Sequence, residues 1–193
     1  TSPNCKVKFQ NEPLPKCTFN SYAKMYTKSD EMCTFVSDRW SVCIAPSDDG
    51  FEQVSFVNGI CTTKGGSHVD HVSNILANGV IEDMAKKIKL RPQQVKNAFF
   101  VFVKATLVNP SFSSQVKSEC TLKLQDFGSK FEPPKSLIKN ILKTNIQSEL
   151  LALSKFRELK ELKKTDGVRK SKITGIPKLD DANKAGTAQS GKC

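Results

Sequence analysis

Hydrophobic positions alternate with polar ones in several short runs and recur at helical spacing in two longer ones. Cys5-Lys6-Val7-Lys8-Phe9 alternates strictly and predicts a strand, which the turn residues Asn11-Glu12-Pro13 then end. Phe19, Tyr22, Ala23 and Tyr26 stand at i, i+3, i+4 and i+7, so residues 19–26 are predicted as a short helix. Residues 39–45 and 53–57 read as two strands, and Pro46-Ser47-Asp48-Asp49-Gly50 between them reads as the five-residue loop of a hairpin. Lys64-Gly65-Gly66 follows as a glycine-rich turn, with Ser67 placed to cap the next helix.

That helix is expected over residues 68–89, where Val69, Val72, Ile75, Leu76, Val80, Met84 and Ile88 share one stripe. Asn78-Gly79 interrupts the stripe and is expected to kink or break it. Phe99-Phe100-Val101-Phe102-Val103 is continuously apolar, the pattern of a strand covered on both faces. A polar loop over residues 109–117 comes next, and residues 137–162 return to helical spacing. Periodicity then stops, so residues 165–193 read as a linker. Strands, a long helix, a buried strand and further helices make an α/β or α+β sandwich, a sheet with helices on one face. Strand-to-helix junctions in such folds present backbone N–H groups to anions, which directs the search to Gly65-Gly66 and to the loop after the Phe-rich strand.

An apolar fraction of 38% with 12 Phe supports a real core in this chain of 193 residues. Charged residues at 25% and a mean hydropathy of −0.38 leave no apolar run near the ~18 residues a bilayer demands, which excludes a membrane span. The net charge of +11 points to a polyanionic partner. Most of the excess is C-terminal: residues 134–193 hold 14 basic and 6 acidic side chains. Seven cysteines, an odd number with no C-x-x-C pair, are expected to be free and mostly buried thiols in a reducing compartment. A first residue of Thr1, without Met or a signal segment, suggests a piece of a longer chain.

Catalytic chemistry has no obvious carrier. His68 and His71 are the only histidines, and no cysteine stands at ligand spacing beside them, so capping and surface roles are expected. Neither a Gly-x-Ser-x-Gly elbow nor a P-loop order occurs. Gln115 and Lys117 are more suggestive, because two such residues in one loop can both donate to a terminal phosphate, the amide directionally and the lysine as a point charge.

Three long motifs then carry a resemblance. Residues 54–69, with Lys64-Gly65-Gly66-Ser67-His68 at their centre, resemble the strand–Gly-Gly–helix signature of type IIA DNA topoisomerases. Asn109-Pro110-Ser111-Phe112 followed by Gln115-Val116-Lys117 is similar to that family's Asn-Pro-x-Phe…Gln-Thr-Lys loop. Lys178-Leu179-Asp180-Asp181-Ala182 resembles a segment that precedes the metal-binding TOPRIM domain in eukaryotic-type members.

The resemblance implies an α+β transducer domain with a fold like domain 2 of ribosomal protein S5, between a GHKL ATPase and a DNA-cleaving core. Residues 1–30 would be the end of the GHKL ATPase domain, 31–164 the transducer and 165–193 a linker toward TOPRIM. Carried over by position, Lys117 would reach the γ-phosphate of ATP with Gln115 as companion, and Val116 stands where the family usually has Thr. Lys86, Lys87 and Lys89 match a lysine-rich loop that touches duplex DNA. The resemblance further implies an ATP-dependent double-strand passage enzyme, a homodimer in the nucleus, with Mg2+ and the catalytic residues held outside this chain; Arg169-Lys170-Ser171-Lys172 is compatible with nuclear targeting. On this reading the chain alone neither hydrolyses ATP nor cuts DNA. The rival readings are a free-standing S5-like nucleic-acid-binding module and the middle domain of another GHKL ATPase.

Overall fold

The computed structural model describes residues 6–14, 17–27, 31–85, 88 and 90–165. Strand β1 (Lys8–Phe9) pairs with β2 (Glu12–Pro13) through a turn whose Gln10 and Asn11 both have positive φ, the geometry that matches strand twist in a tight hairpin. Helix α1 (Phe19–Lys24) is capped by Thr18, whose hydroxyl accepts from the Ser21 amide at 3.1 Å. Four strands and a glycine pair follow: β3 (Cys33–Val36), β4 (Trp40–Pro46), β5 (Glu52–Val57), β6 (Ile60–Cys61) and β7 (Gly65–Gly66). Then come α2 (Ser67–Met84), α3 (Pro92–Asn97), β8 (Phe99–Ala105) and β9 (Glu119–Cys120). A 3-10 turn at Leu124–Asp126 leads to α4 (Lys135–Ile141) and α5 (Asn145–Thr165).

The five-stranded sheet runs in the order β3-β4-β8-β5-β6. Strands β4 and β5 are therefore not the hairpin expected from their spacing: β8 lies between them, antiparallel to β4 and parallel to β5. The reason is apolarity. A strand reading Phe-Phe-Val-Phe-Val has no polar face to give to water, so it takes the central position of the sheet, with a neighbour on each edge and cover on each side. Side-chain alternation then sorts the core. Val42, Ile44, Val101 and Val103 join Val69, Val72, Leu76 and Val80 of α2, together with Leu137, Ile138 and Ile141 of α4, in one continuous cluster. Cys43 and Phe102 point to the opposite face, where Ala23 of α1 buries with them.

Helix α2 is unbroken through Asn78-Gly79, contrary to the expected kink. Gly79 serves packing instead: a Cβ there would come within 2.9 Å of the Ile138 Cδ1, so its absence lets α4 close on α2. The single helix expected over residues 137–162 is two helices. Thr144 turns its hydroxyl back onto the Ile141 carbonyl at 2.6 Å, and the Asn145 amide donates to the Glu31 carboxylate at 2.7 Å, ending α4 and starting α5. From Leu153 the chain forms a separate unit, in whose described part Leu153, Phe156 and Leu159 are exposed. Among the described residues no helix is long and apolar enough to cross a membrane.

Candidate functional site

Strand β7 is only two glycines long, and it lies parallel to β9 with Gly65 opposite Glu119 and Gly66 opposite Cys120. Gly66 has φ of 127°, a conformation L side chains rarely adopt. The Lys64 amide donates to the Ser118 carbonyl at 2.9 Å, which extends the same seam. Ser67 does not cap α2 as expected. It is the first helical residue, and its hydroxyl donates across the seam to the Cys120 carbonyl at 3.3 Å.

Beneath the seam is a buried polar cluster. The Ser55 and Thr62 hydroxyls lie 2.6 Å apart, and Thr62 Oγ1 is 3.3 Å from His68 Nε2. His68 is wholly buried rather than a surface residue, and burial pushes its pKa down to about 4, so the ring is neutral near pH 7. His71 also points inward, 5.8 Å from the Phe127 ring and 6.2 Å from Trp40, and burial lowers its pKa too. Gln53 supports the glycine pair from β5: its amide nitrogen donates to the Thr63 carbonyl at 2.9 Å, and its side chain lies against Gly65.

The loop over residues 109–117 is tied to β9 rather than loose. Ser113 donates its amide to Glu119 at 3.1 Å, Thr121 donates to Ser111 at 3.0 Å, and Phe112 forms an antiparallel bridge with Cys120. The Phe112 ring is half-buried against the core. At the tip, the Lys117 amide donates to the Ser114 carbonyl at 3.0 Å and closes a turn with Gln115 and Val116 at its corners. Gln115, Val116 and Lys117 are thus brought together and exposed. Val116 is 82% exposed, so the turn keeps its shape without a hydroxyl at that position.

Lys117 carries a φ of 57°, a left-handed conformation that costs a non-glycine residue roughly 1 kcal/mol. Its ammonium stands over the Phe112 ring, 5.9 Å from the centroid. An exposed cation and amide on a fixed turn suit the oxygens of a terminal phosphate. Lys86, Lys87 and Lys89, and the Lys178–Ala182 motif, lie outside the described residues. Sequence reasoning missed Phe112, Gln53 and the inward-facing histidines. Only the Phe of Asn-Pro-Ser-Phe gave a signal, as the single aromatic residue in a polar loop.

Cys43 and Cys120 are buried free thiols and Cys33 is half-buried, whereas Cys17 and Cys61 are exposed, the latter because β6 is an edge strand. Burial raises the pKa of Cys43 and Cys33.

Comparison with known proteins agrees with this architecture. The family described as DNA gyrase B matches residues 7–157. DNA topoisomerase 2 of Drosophila melanogaster is 47% identical over 161 residues, covering 81% of this chain and 11% of the fly protein. DNA topoisomerase 2 of Saccharomyces cerevisiae is 42% identical over 160 residues, covering 82% of this chain and 11% of the yeast protein. The chain therefore spans only about a tenth of the length of these curated relatives. The crystal structure of the ATPase and transducer domains of DNA topoisomerase II from Balamuthia mandrillaris superposes with a TM-score of 0.75 at 29% identity, over 81% of this chain and 41% of that one. With the Gly-Gly seam, the turn at Gln115–Lys117 and these matches in agreement, the chain belongs to the type II DNA topoisomerases and is similar to the eukaryotic ones over most of its length.

Proposed function

We propose that this chain is the transducer region of an ATP-dependent type II DNA topoisomerase, coupling ATP binding and hydrolysis to double-strand passage and relaxation of supercoils. Residues 1–30 then close a GHKL ATPase domain, 31–164 form the transducer and 165–193 lead toward a TOPRIM domain. Lys117 and Gln115 donate to the γ-phosphate of ATP, with Val116 between them at the turn's corner. Mg2+ is assigned to parts of the enzyme outside this chain. The enzyme works as a nuclear homodimer on duplex DNA, and Lys86, Lys87 and Lys89 contact DNA phosphates, adding affinity without sequence preference.

The observation that carries this reading is the mechanical continuity from Lys117 to the sheet. Residues Ser111 to Ser113, just before the Ser114–Lys117 turn, are bonded to β9 and its flank, β9 is paired with Gly65–Gly66, and that pair leads into α2. A phosphate held at Lys117 therefore has a short, backbone-bonded path to α2, which packs on the sheet. When hydrolysis removes the γ-phosphate, Lys117 has nothing left to hold, and the orientation of the whole body is released with it. ATP contributes the charged phosphate; the chain contributes the cation, the amide and the rigid mounting. Lys117→Ala in the full-length protein is expected to weaken binding of a non-hydrolysable ATP analogue ~10- to 100-fold, the worth of a charge-assisted hydrogen bond, and to reduce ATP-driven dimer closure in parallel. Closure at the unaltered level would sink the γ-phosphate role.

A further inference from the structure

We propose that Phe112 is a positioning residue that holds the Lys117 ammonium on its ring until a γ-phosphate displaces it, so that the Lys117 side chain is a two-position switch on a fixed turn. The inference rests on the phosphate-contact reading above. Three observations support it. The Lys117 ammonium stands over the Phe112 ring at 5.9 Å, within the range where a cation is attracted by an aromatic face. Phe112 is itself fixed, half-buried on the core and bridged to Cys120, whereas Lys117 is exposed and free to swing. Lys117 also holds a left-handed backbone in the closed Ser114–Lys117 turn, so its side chain leaves from a fixed base.

The ring and the phosphate then compete for one cation. A polyanionic phosphate tail wins because its attraction for the ammonium exceeds that of a neutral π face. ADP, lacking the terminal group, leaves Lys117 on the ring. Phe112 thereby sets how strongly the loop discriminates triphosphate from diphosphate.

The test uses the full-length enzyme with Phe112→Leu, Phe112→Trp, Lys117→Ala and the double variant F112L/K117A, titrated with a non-hydrolysable ATP analogue and with ADP. Phe112→Leu keeps the apolar plug without the π face and is expected to tighten analogue binding about two- to five-fold. Phe112→Trp, a better cation host, is expected to weaken it by a similar factor, and neither changes ADP affinity. In the Lys117→Ala background Phe112→Leu has no effect. Without nucleotide, acylation of Lys117 by an amine-reactive ester is expected to be fastest in Phe112→Leu and slowest in Phe112→Trp. A common shift for Leu and Trp, a change in ADP affinity, or persistence of the Phe112→Leu effect without Lys117 would each show a packing role and overturn the proposal. Unchanged analogue affinity in Lys117→Ala would instead bring down the phosphate-contact reading, and the switch with it.

Discussion

Gly66 and Cys120 meet backbone to backbone: a Cβ on Gly66 would fall on the Cys120 carbonyl oxygen and lie 2.6 Å from its nitrogen. Neither partner has a side-chain end that could yield, so the β7–β9 seam exists only with glycine there. Gly66→Ala combines that overlap with an unfavourable φ of 127°, and a loss of roughly 3 kcal/mol is expected in urea denaturation. Gly59→Ala is the control. It shares a positive φ of 82° but meets nothing within 4 Å, so only about 1 kcal/mol is expected.

Gly79 behaves differently because its neighbour can move. Gly79→Ala gains about 1 kcal/mol in helix propensity and pushes only the flexible end of Ile138, 2.9 Å from the added carbon. Near-neutral stability is expected. Gly79→Leu has no such escape and should cost roughly 2–3 kcal/mol by prising α4 from α2. Thermal unfolding of both variants separates packing from propensity.

Stability should fall with acid through His68. Its folded pKa of about 4 lies below the ordinary 6.5, so the unfolded chain takes up the proton first. The contribution is complete above pH 6.5, declines as pH drops toward 4 and levels off below that. The shift corresponds to about 3 kcal/mol, and the lowered His71 works in the same direction. Denaturant midpoints between pH 7.5 and pH 4 test this, and His68→Leu should flatten the slope while lowering stability at pH 7 by leaving Thr62 short of a partner.

Replacing Lys86, Lys87 and Lys89 together by Ala in the full-length protein should weaken binding to duplexes of unrelated sequence alike. The slope of log affinity against log salt should drop by up to ~3, about one for each phosphate no longer neutralised. Fluorescence anisotropy at several salt concentrations reads both quantities. A change confined to one sequence would exclude phosphate neutralisation as the cause.

Much of the element content was legible because periodicity is a local property. The stripe Val69, Val72, Leu76, Val80 could belong only to a helix, and Phe99 to Val103 only to a covered segment. Partnership was less legible. Residues 39–45 and 53–57 have hairpin spacing, and nothing near them in sequence announces that β8 will come between. Strands β7 and β9, two residues each, are too short to carry any period, so the seam that mounts the loop was visible only as a pair of glycines. Gln115 and Lys117 drew attention by their residue types, and the structure brings them together on one turn. The ring beneath Lys117 was not, because Phe112 and Lys117 lie five positions apart in a loop with no regular spacing to relate them.

The insertion of β8 has a consequence for how the protein is made. Strands β4 and β5 leave the ribosome close together, yet neither has its principal neighbour until residue 105 is available, more than 50 positions after β4. Until then two hydrophobic strand edges stand open, and α2 is synthesised before the sheet it will cover is complete. The central strand is thus a keystone fitted late. Such long-range pairing slows folding and lengthens the time during which edges can pair wrongly. A newly made chain halted before Phe99 would hold α2 and four of the five strands of its sheet, but not the strand that joins β3-β4 to β5-β6.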